Sequence, residues 1–264
     1  MINKIAFPGL SLGPFEICES FNLFGLTIHW YGVIIALGIV LAYLLCCHIA
    51  KDYAIDSDTL IDILIYGLPS AIICARIYYV AFRWEEYSNN LLDIFKIWNG
   101  GIAVYGSIIG ALISSFIYCR CKKIKFTKIL DIGCFGLLTG QIIGRWGNFV
   151  NAEAYGSETT SFLRMELLDL GISVHPTFLY ESLWNLCVLL LLYFLFRKKQ
   201  TFQGELFLLY ITGYGLGRFW IEGLRTDSLY LGPVRISQIV AILCVITGIG
   251  LYIYFKIKNK KQVI

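Results

Sequence analysis

The stretch Gly144-Arg145-Trp146-Gly147-Asn148-Phe149-Val150-Asn151-Ala152-Glu153-Ala154-Tyr155-Gly156 puts an arginine, two amides and a carboxylate where a long apolar run ends. A guanidinium is a permanently charged planar fork that grips phosphate or carboxylate oxygens two at a time. Asn148 and Asn151 share the face of Arg145 if the helix persists that far, and amides there can orient a polar substrate. The same residues also read as a helix C-cap leading into a turn, helped by Gly147 and Gly156. Glu153 in that turn and His175, just ahead of Pro176, each suit an acid, a base or plain polar surface. Arg76, Arg218, Glu181 and Glu222 interrupt other apolar runs, with Arg218 and Glu222 spaced i, i+4 so that they either pair or serve a ligand. Ionisable groups inside a bilayer are costly unless paired or hydrated, so each is a candidate for function.

The elements that position these groups follow from composition. Of 264 residues, 58% are hydrophobic and 15% charged, and the mean hydropathy is +0.70. This lies outside soluble globular composition and predicts an all-α polytopic membrane protein, a single integral membrane domain over 1–264. Seven segments are long enough to span, near 28–49, 58–82, 101–119, 130–149, 176–196, 204–224 and 236–255. Basic residues crowd the connections after spans one, three, five and seven (Lys51, the Arg120 to Lys128 run, Arg197 to Lys199, Lys256 to Lys261) and are sparse on the other side. The positive-inside rule then predicts the N-terminus outside and the C-terminus cytoplasmic. On that topology Arg76, Arg145, Arg218 and Glu222 lie toward the outer ends of their helices, and Tyr31, Tyr105 and Glu181 enter from outside. Three arginines over two glutamates leave positive charge, which suits a phospholipid headgroup. Residues 150–175 form the longest connection, expected to be a small external cap with a short strand or helical turn.

Other readings of the sequence are narrower. The net charge of +4 comes from short basic runs between apolar segments, so no nucleic-acid partner is expected. Nine cysteines show no metal-ligand spacing and read as buried inert thiols, and neither metal nor cofactor is expected. The first 25 residues, broken by Pro8 and Pro14 and carrying acids, lack the pattern of a cleavable signal, so the first span is expected to direct insertion. Gly106 and Gly110, and likewise Gly136, Gly140 and Gly144, recur every four residues and read as close helix packing. The glycine run Gly213 to Arg218 follows no strand and fails as a nucleotide loop.

The signature from Gly144 to Gly156 resembles that of the prolipoprotein diacylglyceryl transferases, G-R-x-G-N-F-x-N-x-E-x-x-G. The likeness continues through His29 to Gly32, the arginine of "CARIYYV" (Arg76), Trp98 to Gly106, His175 to Glu181 and Gly217 to Asp227, in the family's order. The resemblance implies a seven-helix enzyme of the bacterial cytoplasmic membrane with its active site open to the outer leaflet. It implies transfer of a diacylglyceryl group from phosphatidylglycerol to the lipobox cysteine of a prolipoprotein signal peptide, forming a thioether and releasing glycerol phosphate. Arg145 and Arg218 would stabilise the leaving phosphate; Asn148, Glu153 and Gly156 would shape and polarise the site; Tyr31 would line it. Many members carry histidine where this sequence has Tyr105, and a phenol is a poor base at neutral pH. Tyr105, Glu153 and a lipid phosphate oxygen are the candidate bases, with Arg76, Asn151, His175, Glu181 and Glu222 expected to contact substrate. A transporter of anions or phospholipids in the outer leaflet is the competing class, against which the sequence offers no inverted repeat and no polar path through the inner half.

Overall fold

A computed structural model describes residues 2–88 and 90–262. The chain divides into two compact units, Met1–Leu45 with Asp131–Ile264, and Cys46–Leu130. Helices α1 (Trp30–Ala50) and α5 (Phe126–Val150) run through both boundaries.

In the second unit, α2 (Ser57–Phe82) and α4 (Val104–Cys121) pack along each other, joined through a short helix α3 (Trp84–Tyr87) and an irregular segment. Asp56 caps α2 by accepting from the Thr59 N–H at 2.9 Å, and that hydrogen bonding holds its carboxyl below the usual carboxylate range. The glycine pair on α4 packs as its spacing implied. A Cβ on Gly110 would strike the Ser70 carbonyl and one on Gly106 would lie 2.7 Å from Ala75 Cα, while Ser70 Oγ donates to the Gly110 carbonyl at 3.0 Å. The expectation does not extend to Gly140 on α5, where no atom lies within 4 Å of an added Cβ.

In the first unit, α5, α6 (Thr177–Leu191, continued by a π turn over Leu192–Phe196) and α7 (Glu205–Leu224) are tied by hydrogen bonds at successive levels. At one end Asp131, fully buried on α5, accepts from Gln200 Nε2 at 2.5 Å and from the main-chain N–H groups of Gly204 and Phe207, clamping the α6–α7 turn. Further along, Ser182 Oγ donates to the Ile142 carbonyl at 3.0 Å and Trp184 Nε1 to the Gly213 carbonyl at 2.8 Å. Rising numbers on α6 meet falling numbers on α5 and α7, so α6 is antiparallel to both. Helix α8 (Ile236–Gln262) packs on α7, with Gly215 set against the Ala241 carbonyl.

The all-α expectation is amended by a four-stranded antiparallel sheet in the order β2-β1-β5-β6. Strands β1 (Ile2–Phe7) and β2 (Leu12–Cys18) come from the N-terminal stretch, whose Pro8 opens the turn between them. Strands β5 (Met165–Leu167) and β6 (Ile172–Val174) come from the connection over 150–175, where a short strand or a helical turn was expected. Ile5, Phe7, Met165, Leu167 and Val174 bury one face of the sheet against Phe149 and Phe178, which stack at 4.7 Å, and Asn3 Nδ2 donates to the Val150 carbonyl at 2.9 Å. The sheet is thereby fixed to the end of α5, where the signature lies. Two small hairpins, β3 (Ser20–Leu23) with β4 (Leu26–His29) and β7 (Tyr230–Leu231) with β8 (Val234–Arg235), lead directly into α1 and α8.

Among the described residues, six helices are long and apolar enough to cross a membrane: Trp30–Tyr53, Ser57–Phe82, Val104–Cys121, Phe126–Val150, Thr177–Lys199 and Ile236–Lys260. The segment expected near 204–224 is helical as α7 but carries Glu205, Arg218 and Glu222 and is not among the six. Leucines and isoleucines such as Leu37, Ile73, Ile117, Leu190 and Ile246 stand exposed along these helices, the distribution a lipid solvent favours. Cys119 and Cys134 are buried as expected of inert thiols, whereas Cys187 stands exposed on the outside of α6.

Substituting Gly110→Leu should lower the thermal unfolding midpoint in detergent, because over-packing a close helix contact costs about 1–3 kcal/mol. Gly140→Ala, with no neighbour to meet, should leave it unchanged within about 0.5 kcal/mol.

Candidate active site

The last turn of α5 aims Arg145 and Asn148 to one side, three residues apart. Arg145 Nη1 donates to Asn148 Oδ1 at 3.2 Å, and Asn148 Nδ2 donates to Glu153 Oε1 at 2.9 Å. The other end of the guanidinium, Nη2, donates to Glu181 Oε1 on α6 at 2.7 Å. Glu181 Oε2 accepts from Arg218 Nη1 on α7 at 3.0 Å, and Arg218 Nη2 lies 2.7 Å from Glu222 Oε2. A continuous polar chain therefore runs from exposed Glu153 through Asn148, Arg145, Glu181 and Arg218 to buried Glu222. Arg218 and Glu222 pair, as their i, i+4 spacing allows, and Arg218 is also bound to Glu181.

Burial along this chain is uneven. The side chains of Glu181 and Glu222 are 3% and 2% exposed, whereas those of Arg145 and Arg218 are 21% and 16% exposed. The carboxylates are enclosed, and the arginine side chains are partly exposed. Both guanidiniums are oriented by one carboxylate.

The charge count read from the sequence needs revising, because Arg76 is committed elsewhere. In the second unit its Nε, Nη1 and Nη2 donate to the carbonyls of Asp93, Ile94, Lys96, Gly100 and Gly101 at 2.7 to 3.5 Å, and Tyr87 lies under the guanidinium at 5.0 Å. Five acceptors match its five N–H groups, so Arg76 clasps the 93–101 segment. Arg145 and Arg218 alone would balance Glu181 and Glu222. With Glu153 counted, the third guanidinium that balances the chain is Arg235, which the sequence offered only as a loop charge. Its Nη1 donates to the main-chain carbonyl of Glu222 and its Nε to Tyr230 Oη at 3.0 Å. Its place in a tight hairpin immediately before α8 was the available signal.

The remaining expected residues fall as follows. Tyr31 lies flat against the bare backbone of Gly147, where an added Cβ would come within 2.6 Å of the ring. Gly156 is a crossing point: its N–H donates to the His175 carbonyl at 2.9 Å, it bridges to Arg225, and a Cβ there would meet His175 Cβ at 2.7 Å and the Leu224 carbonyl at 3.0 Å. His175 is held by that pairing, with Nδ1 3.3 Å from Tyr180 Oη. Asn151 follows the last residue of α5, its N–H reaching the Gly147 carbonyl at 3.1 Å, and Ala152 is left-handed (φ 49°), so the C-cap reading holds there. Tyr105 belongs to the second unit, half-buried in the first turn of α4.

Replacing Glu181 by glutamine should destabilise the chain by about 3–5 kcal/mol, since two arginines then lose their shared anion in a buried setting. Glu153→Gln, at the exposed end of the same chain, should change stability by less than about 0.5 kcal/mol. Thermal melts of both variants in one detergent check the contrast.

Comparison with known proteins agrees with this arrangement. Residues 19–254 match the family model described as prolipoprotein diacylglyceryl transferase. A Finegoldia magna protein named phosphatidylglycerol–prolipoprotein diacylglyceryl transferase is 47% identical over 245 residues, covering 93% of this chain and 96% of the relative. Proteins of the same name from Lysinibacillus sphaericus and Clostridioides difficile are 46% and 44% identical, over 91% and 92% of this chain and 93% and 97% of their own. With its signature helix, its paired arginines and nearly its whole length accounted for, the chain belongs to the prolipoprotein diacylglyceryl transferase family.

Proposed function

We propose that the chain transfers a diacylglyceryl group from phosphatidylglycerol to the lipobox cysteine of prolipoprotein signal peptides, the chemistry named for its relatives. The observation that carries this reading is the sharing of one buried carboxylate, Glu181, by Arg145 and Arg218, whose outward faces form a site for a phosphodiester. In the reaction the cysteine sulfur attacks the glyceryl carbon that bears the phosphate. The C–S bond forms as the C–O bond breaks, and the electron pair leaves on glycerol phosphate. Negative charge grows on the phosphate oxygens, where the two guanidiniums reward the transition state more than the ground state.

The thiol must also give up its proton. Glu153 is our choice of base, supported by its exposed carboxylate and by the Asn148 amide that links it to Arg145. Tyr31 and Gly156 line and shape the site, and Asn151 and His175 border it. The seven-helix count, with α7 as a span, follows from the need to bring Arg218 to the depth of Arg145. The asymmetry of basic residues supports an external N-terminus, a cytoplasmic C-terminus and a site facing the outer leaflet of the bacterial cytoplasmic membrane. On this reading the whole chain works as one integral membrane domain, with residues 150–175 as the cap.

Purified protein incubated with phosphatidylglycerol and a lipobox peptide should add a diacylglyceryl mass to the peptide, and none to a control with serine in place of cysteine. Arg145→Ala and Asn148→Ala should each lower product formation by at least about 100-fold with the fold retained; full activity in both would remove these residues from the mechanism. The base is checked by rate against pH. Glu153→Gln should slow transfer by about 100-fold or more and lose the rise of rate with pH at the acid limb, while Tyr105→Phe keeps that limb. The reverse pattern would transfer the role to Tyr105.

A further inference from the structure

Beneath the ion chain lies a second polar layer that the proposed chemistry does not use. Gln141 precedes Arg145 by four residues on α5, and Asn185 follows Glu181 by four on α6. The two helices are antiparallel, so both side chains lie one turn, about 6 Å, to the same side of the Arg145–Glu181 pair. Helix α7 reaches this level with Tyr210, whose hydroxyl accepts from Gln141 Nε2 at 2.9 Å.

Asn185 is 1% exposed, yet among the described residues neither its amide nitrogen nor its carbonyl oxygen has a hydrogen-bond partner, and Gln141 Oε1 is likewise buried and unpartnered. Several side-chain donors on these helices are committed to the main chain: Trp184 Nε1 to the Gly213 carbonyl, Ser182 Oγ to the Ile142 carbonyl and Thr139 Oγ1 to the Phe135 carbonyl. Orphaned amide groups in an apolar interior are costly, and a sequence holding two of them in one layer needs compensation.

We infer that Asn185 and Gln141 form a binding site for internal water, one helical turn inward of the Arg145–Glu181–Arg218 cluster. The chemistry of the unpartnered atoms selects the ligand. Two are acceptors and one is a donor, so a lipid ester or phosphodiester, which offers acceptors only, could satisfy just the Asn185 nitrogen. Water supplies both functions, makes two to four hydrogen bonds and fits a site this closed. The site also gives the cluster a reserve. When an anion draws Arg145 or Arg218 away, the Glu181 carboxylate loses a donor, and water in the layer below replaces it. This role rests on the function proposed above; the water site does not.

Full-length protein labelled with 15N-asparagine in lipid bilayers, studied by water-edited solid-state NMR, tests the site directly. Asn185→Gln, which removes that labelled amide, identifies the Asn185 signal. Rapid transfer of water magnetisation to the Asn185 side-chain amide is expected; transfer no faster than to the helix interior would overturn the site. Stability gives a second readout. Asn185→Leu and Gln141→Leu should each lower the unfolding midpoint by about 2–4 °C, and the double variant by little more than either, because both remove the same bridge. A raised midpoint or fully additive losses would mean that the amides hold nothing. Neither readout involves diacylglyceryl transfer, so failure of the proposed function leaves both intact. For the role, Asn185→Leu should lower kcat several-fold with little change in KM for lipid, and an unchanged kcat would sink it.

Discussion

One buried carboxylate organises the site. Glu181 receives a guanidinium from α5 on one oxygen and another from α7 on the other, so three helices meet at a single acceptor group. Like charges on Arg145 and Arg218 would repel at this separation if nothing lay between them. With Glu181 between them they are held as a pair. Low dielectric surroundings strengthen every such interaction.

The rest of the first unit serves to hold this junction. At the far end of α5, Asp131 fixes the α6–α7 turn through three N–H donors, which sets the relative height of the helices. At the near end, the sheet grips the α5 terminus through Asn3 and the Phe149–Phe178 stack. Gly156 lets the chain leaving α5 pass between His175 and Leu224, joining the starts and ends of helices that carry Glu181 and Glu222. Polar groups thus occur at helix ends and in the interior of the bundle, and apolar ones face outward.

Much of this was legible in the sequence, because a bilayer makes polar residues conspicuous. Arg145, Asn148, Glu153, Glu181, Arg218 and Glu222 stood out as interruptions of apolar runs, and they are the six that form one chain. Arg76 stood out equally and proved to serve a loop, since a guanidinium bound to main-chain carbonyls looks in sequence like one awaiting a ligand. Arg235 was missed for the opposite reason: lying between spans, it resembled an ordinary connection charge. Strand β1 was hidden because its partner β5 lies about 160 residues away, beyond the reach of local periodicity. The i, i+4 glycine spacing predicted packing on α4 but not at Gly140, since spacing states where a neighbour could come, not whether one does.

That distant pairing has a consequence for the order in which the molecule is made. Strand β1, residues 2–7, finds its partner β5 only when residues 165–167 exist. At ordinary translation rates of about 5–20 residues per second, strand β1 waits of order ten seconds for β5 to be synthesised. Throughout that interval Ile5 and Phe7 lack the sheet core that Met165 and Leu167 complete. The sheet that grips the end of the signature helix is therefore finished late in biosynthesis.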